Sequence, residues 1–402
     1  MPSTSLLPMT WQPVQHPPAQ LPAPEAGRSG RRLVRGWLLG GVLAVGFLVI
    51  ALVVSRYYGA TFGVSTSLLG AVSALVPLGI VVPTFLWLDR FEAEPRRYLL
   101  VAFLWGALVA AVLAATLNTS AMLVLQASAG REQAMAATAV FVAPVVEEAA
   151  KGLLVVLVLL LRRREFDGIT DGMVYAGITA AGFAFTENIQ YLATAFVQGG
   201  QGALAGTFVA RCLLSPFAHP MFTVLTGIGV GVASASRSVL VRLVAPVLGY
   251  LLAVLAHGLW NLAAVVGAEG LIAIYLLVEV PIFLAFLGLI VWARSREGRL
   301  IGQHLMPYAA AGWLTPAEVT MLASMPRRRE ARAWARVNGG RPALATMRDL
   351  QDTASEVALL RRRMTHHAAD PQALQTERAL LARLMAARTR LLSLPASAGP
   401  GR

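Results

Sequence analysis

Charged side chains are scarce in this 402-residue chain, where Asp, Glu, Lys and Arg together make up only 14% of the residues. Soluble globular proteins carry about 25% charge, so this scarcity excludes an ordinary soluble domain. Apolar residues make up 56% of the chain, and its mean hydropathy is +0.63. The composition therefore predicts a polytopic membrane protein whose main surroundings are the lipid bilayer.

Cysteine is nearly absent as well, and the single residue, Cys212, excludes an internal disulfide. Acidic residues are outnumbered by basic ones, which gives a formal net charge of +13 and a pI near 11.0. In a soluble chain this charge would suggest nucleic acid as a partner. Here the arginines lie between and after long apolar runs, as in cytoplasmic loops, so we expect no nucleic-acid partner.

The apolar runs define the predicted architecture. Eight stretches are near or above the roughly 20 residues that cross a bilayer, at about 36–55, 66–88, 98–126, 137–161, 170–196, 206–234, 240–266 and 270–293. They predict an all-α fold, a transmembrane bundle of about eight spans with a small cytoplasmic helical tail. The chain then divides into a Pro-rich, disordered cytoplasmic segment at 1–35, a transmembrane domain at 36–294 and an Arg-rich helical tail at 295–402.

Arginines between the spans predict the orientation. With the N-terminus inside, the outer loops carry only Arg56 and Arg131, and the inner loops carry Arg90, Arg96, Arg97, Arg162, Arg163, Arg164, Arg237 and Arg242. Because basic residues collect on the cytoplasmic side, we expect both termini in the cytoplasm. The high arginine and alanine content favours a bacterial source and the plasma membrane as the location.

Lysine is the scarcest charged residue, since Lys151 is the only one in the chain. It lies in an apolar run beside two adjacent carboxylates, Glu147 and Glu148, at helical spacings of four and three residues. One ammonium can therefore face either carboxylate from the next turn. Each charge at membrane depth costs roughly 2.5–3.5 kcal/mol on insertion scales, so such residues are functional candidates. A structural ion pair is the plainer alternative.

Further polar residues in the next three spans share one depth. We counted residues inward from the predicted outer end of each span. Glu147 lies about 10 residues from that end, Glu187 about 9, His219 about 13 and His257 about 10. At 1.5 Å per residue these positions are roughly 14–20 Å below the outer face, close to the bilayer centre. Unrelated structural pairs would have no reason to share a depth, so the pattern predicts one site.

Carboxamides accompany two of these residues. Asn188 lies beside the stripe formed by Phe183, Glu187 and Tyr191, and Asn261 shares a helical face with His257. Imidazole together with carboxamide is a composition suited to binding an oxyanion. The plainer alternative for each polar residue is a hydrogen bond between packed helices.

Together these motifs resemble the PrsW family of intramembrane proteases, within the superfamily of CAAX prenyl endopeptidases and Abi proteins. The likeness covers about residues 80–265. Glu147-Glu148-x-x-Lys151 is similar to the family's EExxK motif, and Phe183-x-x-x-Glu187-Asn188 is similar to its FxxxEN motif. His219 and His257 correspond to its two later histidine motifs. It implies a peptidase that cuts membrane-embedded or membrane-proximal bonds of a single-span protein, such as an anti-sigma factor. The implied catalytic residues are Glu147, Glu148, Lys151, Glu187, Asn188, His219, His257 and Asn261.

Two mechanisms fit this residue set. In the first, Glu147 or Glu148 is the general base that activates water, and His257 with Asn261 stabilises the oxyanion. In the second, a divalent metal, usually zinc, is bound by Glu148, Glu187, His219 and His257. Because the sequence contains no HExxH pair, it favours the first mechanism with no cofactor, and zinc is the alternative.

Two other classes of function compete with a protease. A proton-coupled transporter also uses Glu, His and Lys at the midplane, but the spans show no internal repeat. A non-catalytic scaffold would have no need for costly buried charges. A further membrane acid, Glu279, stands next to Val280 and Pro281, and we expect it to lie at a kink with a partner on a neighbouring helix.

Overall fold

The structure is a computed structural model that describes residues 29–91, 93–162, 166, 168–266, 272–366 and 371–394. Residues 1–28 of the predicted disordered segment lie outside the described residues, as do Arg163 and Arg164. The described residues form helices and contain no strand. The predicted all-α polytopic fold is confirmed.

The helices are numbered here in chain order. They are α1 (Ser29–Phe62), α2 (Val64–Leu88), α3 (Arg96–Leu104), α4 (Ala111–Ala129), α5 (Arg131–Ala137), α6 (Ala143–Leu161), α7 (Ile169–Phe208), α8 (Ala218–Ala235), α9 (Val239–Val265), α10 (Val280–Ala310), α11 (Pro316–Leu322), α12 (Met325–His366) and α13 (Pro371–Leu392). Four π-helical segments interrupt them, at Trp105–Ala110, Thr138–Val142, Val209–Leu214 and Tyr275–Glu279.

Six helical stretches of the described chain are long and apolar enough to cross a membrane. The difference from the eight predicted spans has two sources. The candidate span Ile169–Ala235 covers two predicted spans. Helix α6 carries Glu147, Glu148 and Lys151, which lowers its apolar character. The count of eight spans stays a prediction.

The described chain forms two compact units that divide between Ala293 and Arg294. Within the first unit, α7 is the central helix, and every residue from Thr170 to Phe183 is buried. Large side chains from its neighbours, among them Phe85 of α2 and Phe222 of α8, are fully buried in the same core. The first half of α7 is therefore surrounded by protein and not by lipid. It supports the polar site residues that follow it along the same helix.

The second unit contains α11, α12 and α13. Thr315 and Glu318 form a capping box at the start of α11, with hydrogen bonds of 3.1 Å and 2.6 Å to each other's backbone amides. The fully buried Arg328 donates to the carbonyl of Leu322 at 2.7 Å and to Ser355 Oγ at 2.6 Å. Burial lowers the pKa of the Arg328 guanidinium to about 10. The tail is thus a packed helical unit, and its cytoplasmic location stays a prediction.

Glycines allow the central helices to approach to backbone contact. A Cβ on Gly172 of α7 would lie 2.0 Å from the carbonyl oxygen of Gly227 in α8, and one on Gly227 would lie 2.2 Å from that of Gly172. On the other side of α7, a Cβ on Gly182 would lie 2.0 Å from the carbonyl oxygen of Phe103. Membrane helices pack tightly where small residues at such crossings let their backbones approach each other.

The reciprocal glycine contact gives a stability prediction. We expect Gly172→Ala to lower the free energy of unfolding by about 1–3 kcal/mol, because the added methyl group overpacks a backbone crossing. Thermal unfolding in detergent measures the effect. Gly79→Ala is the matched control, since its Cβ would have no atom within 4 Å. Equal melting temperatures for the two variants would contradict the close approach of α7 and α8.

Candidate active site

Four helices bring the acidic and imidazole side chains of the predicted midplane together. The side chains come from α6 (Glu147, Glu148, Lys151), α7 (Glu187), α8 (His219) and α9 (His257). The rings of the two histidines lie 5.2 Å apart between centroids and are nearly perpendicular, at 86°. Side chains that are distant along the chain thus form one cluster.

Lys151 forms its shortest ion pair with Glu148. Its Nζ lies 2.6 Å from Glu148 Oε1 but 3.9 Å from Glu147 Oε2, and both Lys151 and Glu148 are fully buried. The same ammonium lies 3.3 Å from His219 Nδ1 and 4.4 Å from the ring centroid of Phe183. A compact, tetrahedral donor fits between a carboxylate, an imidazole and a ring face, whereas a planar guanidinium would not.

Glu148 is fully engaged by protein groups. Besides Lys151, it receives a hydrogen bond from Thr223 Oγ1 at 2.8 Å on Oε2, and Oε1 lies 3.0 Å from His257 Nδ1. The tautomer that completes this contact has its proton on Nδ1 and a lone pair on Nε2. Carboxylates orient metal-binding histidines in this way. Glu148 therefore positions His257 and keeps Nε2 available.

Glu147 differs from its neighbour, because one of its oxygens is without a hydrogen bond from the described residues. Asn118 donates to Oε1 at 3.2 Å, but Oε2 has no donor and lies 3.8 Å from His257 Nε2. Two lone pairs that face each other at this separation repel one another unless a cation or a proton lies between them. The pair thus has the donor chemistry of a cation site.

The described chain contains one group of three side chains that could hold a metal ion. One ligand atom each from Glu147, His219 and His257 lie within 4.8 Å of one another, and all three residues are buried. Two imidazoles and a carboxylate are a ligand set suited to zinc. The residues fit a divalent metal. The set differs from the one predicted for a metal, since Glu147 is present and Glu148 and Glu187 are paired with cations of the protein.

Glu187 lies at the edge of this cluster. It forms an ion pair with Arg211, and its Oε2 lies 2.7 Å from His219 Nε2. The side chain of Glu187 is 18% exposed, compared with 0% for Glu148 and 7% for Glu147. Glu187 is therefore the most exposed of the three carboxylates in the cluster.

The two carboxamides lie outside the group of three possible ligands. Asn188 accepts a hydrogen bond from Arg211 Nε at 2.9 Å, and Asn261 donates to the carbonyl of Ala139 at 2.8 Å. Ala139 belongs to the π-helical segment that precedes α6. Asn261 thus joins α9 to the backbone that leads to Glu147, and the predicted oxyanion role stays a prediction.

The sequence suggested that Arg211 could neutralise a buried carboxylate, but it did not identify the partners in three pairings of the site. Asn118 binds Glu147, Thr223 binds Glu148 and Arg211 pairs with Glu187. Thr223 and Arg211 belong to a stripe spaced by four residues with His219, so their helical face could be found in the sequence. For Asn118, the sequence offered only one indication, which is that an asparagine lies within an apolar run.

The fold and this cluster define a multi-pass membrane protein with a buried candidate metal centre of glutamate and histidine. A model of the PrsW family of intramembrane metalloproteases matches residues 94–287, which include the whole cluster. The resemblance to the PrsW family inferred from the motifs is confirmed.

Two relatives carry the name Protease PrsW. The chain is 32% identical to that of Geobacillus kaustophilus over 163 residues, which are 40% of this chain and 66% of the relative. It is 29% identical to that of Clostridioides difficile over 154 residues, 38% of this chain and 61% of the relative. The match thus spans less than two thirds of either relative's length. No solved structure matches the chain.

The pair of Lys151 and Glu148 gives a second stability prediction. We expect Lys151→Met to lower the free energy of unfolding by about 3–5 kcal/mol, because it leaves a fully buried carboxylate without its cation. The double variant Lys151→Met/Glu148→Gln should recover part of this loss, since no buried charge is then left unpaired.

Thermal unfolding in detergent tests this pair, with Arg131→Met as the control because Arg131 is exposed. A double variant that is less stable than Lys151→Met would show that charge compensation is not what Lys151 provides.

Proposed function

We propose that the chain is an intramembrane protease that hydrolyses peptide bonds within or next to the bilayer. The observation that carries this proposal is the buried group of Glu147, His219 and His257 at the centre of the helical bundle. The names of the two relatives support the reaction class. A peptide bond in a membrane resists hydrolysis because water is scarce there, so a site must both admit water and activate it.

In this proposal Glu147, His219 and His257 hold a divalent metal, with zinc favoured by the ligand set. Such a metal polarises a carbonyl and lowers the pKa of bound water to about 7. This assignment differs from the metal-free mechanism that the sequence alone favours, because the structure supplies a compact ligand group and the family is described as metalloproteases.

The surrounding residues act through position and charge. Glu148 holds the His257 ring by its Nδ1 proton, and Lys151 keeps Glu148 ionised by direct contact. Glu187, paired with Arg211, accepts the hydrogen bond from His219 Nε2 and so holds the orientation of this ring.

Direct activation of water by glutamate is the second candidate mechanism. It is favoured by Glu147 Oε2, a buried carboxylate oxygen that receives no hydrogen bond from the described residues. Such an oxygen can take a proton from water without first losing a protein partner. Both mechanisms need Glu147, and they differ in whether active protein contains metal.

The substrate class follows from the family resemblance. We propose a single-span membrane protein, such as an anti-sigma factor, as the substrate. We also propose the bacterial plasma membrane as the location, with both termini in the cytoplasm, on the basis of the arginine distribution.

The test of the reaction uses the full chain in lipid nanodiscs with a library of single-span reporters, followed by mass spectrometry. We expect the wild type to cut at least one reporter, and Glu147→Gln to lower kcat at least 100-fold while the fold is retained. Glu132→Gln removes an exposed carboxylate and should have full activity. Failure of folded wild type to cut any reporter would contradict the proposal, and a proton-flux assay would then test a transporter.

Metal content in the same samples distinguishes the mechanisms. We expect about one zinc per active chain and loss of zinc in Glu147→Gln. We expect about 10–100-fold weaker zinc binding in Glu148→Gln, because this variant removes the carboxylate that orients His257. Activity in protein that contains no metal after chelation would overturn the metal assignment and leave Glu147 as general base.

A further inference from the structure

Glu279 lies in the last predicted span and is not used by the mechanism above. It is 3% exposed, ends the π-helical segment Tyr275–Glu279, and precedes Pro281 by two residues. Neither of its carboxylate oxygens has a hydrogen-bond partner among the described residues. The partner that the sequence led us to expect on a neighbouring helix is therefore not found there. A buried carboxylate without a donor is costly and needs a physical reason.

The Glu279 side chain lines a groove within the bundle. One wall is the irregular backbone between α8 and the π-helical segment before it, where Ser215, Pro216 and Phe217 are not α-helical. Tyr275 also lines the groove, and its hydroxyl donates to the carbonyl of Leu214 at 3.3 Å. The groove has about 40 Å³ of space for the centres of water-sized groups, which is room for a few such groups. It can hold the end of one side chain but neither a peptide segment nor a helix.

The groove adjoins the candidate active site. Ala218, the residue before His219, and Trp260, three residues after His257, both line it. The ring of Phe222 lies 5.2 Å from the ring of His257 and 6.5 Å from that of Trp260. Only one layer of aromatic side chains therefore separates the groove from the histidines. A side chain bound in the groove would therefore lie one aromatic layer from the histidines.

The lining of the groove selects for a cation on an apolar stem. Phe217, Trp260 and Phe283 supply ring faces and apolar surface, and Glu279 supplies the negative charge. Aromatic faces attract Lys and Arg head groups, and the methylene stems of these residues pack on apolar surface. A basic side chain would also compensate the carboxylate that the described residues leave without a donor.

We propose that this groove binds a Lys or Arg side chain of the substrate segment, with Glu279 as its ionic partner, and so sets which peptide bond reaches the active site. The proposal rests on the proposed protease function. Glu279 is then a residue that determines specificity, and it takes no part in bond cleavage.

The kinetic test scans one basic residue along a single-span reporter in nanodiscs. We expect wild type to prefer Lys or Arg over norleucine at one position relative to the cut, with a KM lower by about tenfold, equivalent to about 1.4 kcal/mol. Glu279→Gln should remove this preference by raising KM for the basic reporter while kcat stays within about twofold. Glu132→Gln is the matched control, because it removes an exposed carboxylate instead.

A charge-reversal variant gives a second test, so that the result does not depend on whether Glu279→Gln folds. Glu279→Lys should cut a reporter with Glu at the preferred position better than one with Lys. Equal KM values for the basic and norleucine reporters at every position with the wild type would overturn the proposal, whatever the variants do. So would a preference for Lys that persists in Glu279→Gln.

A binding measurement separates this proposal from the protease function. With a photo-crosslinking residue at Phe283, the Lys reporter should crosslink about tenfold more than the norleucine reporter, whether or not it is cut. Selective crosslinking without cleavage would support the groove and contradict the protease. Cleavage with equal crosslinking of the two reporters would support the protease and overturn the groove.

Discussion

The buried ion pair between Lys151 and Glu148 is the interaction on which the site depends. Taking two charges out of water is unfavourable by several kcal/mol for each ion, and only direct contact with further hydrogen bonds offsets it. The 2.6 Å contact, the Thr223 hydroxyl and the His257 ring meet this need together. Because these partners come from α6, α8 and α9, satisfying one buried carboxylate fixes the relative positions of three helices.

This arrangement gives two adjacent glutamates different chemical environments. Glu148 has each oxygen occupied by protein donors, whereas Glu147 receives one hydrogen bond from Asn118 and keeps Oε2 without one. One helical turn thus supplies one carboxylate fully bound by protein groups and one with an oxygen that has no hydrogen bond from the described residues. The same division extends to the histidines, since His257 is oriented by Glu148 and His219 lies between Lys151 and Glu187.

Close helix packing and irregular backbone have complementary roles around this cluster. Gly172, Gly182 and Gly227 allow the first half of α7 to pack against its neighbours in backbone contact. Irregular backbone also lies close to the site, at Thr138–Val142, Val209–Leu214 and the turn at Ser215–Phe217. Within a membrane, such backbone is tolerated where it is buried in protein or lines a cavity. The groove beside Glu279 is a place of this kind.

The sequence by itself determined the fold class, the family resemblance and the polar residues that form the cluster. Hydropathy, helical spacing and depth are local properties, so these conclusions need no knowledge of which helices are in contact.

Only the tertiary structure decided which polar side chains pair with each other. Adjacent residues such as Glu147 and Glu148 have the same sequence signal, and their environments differ because one faces Asn118 and His257 Nε2 and the other faces Lys151 and Thr223. The position of Asn261 on the Ala139 carbonyl and the lack of a described partner for Glu279 likewise follow from helix rotation and π-helical register, which spacing along one chain does not specify.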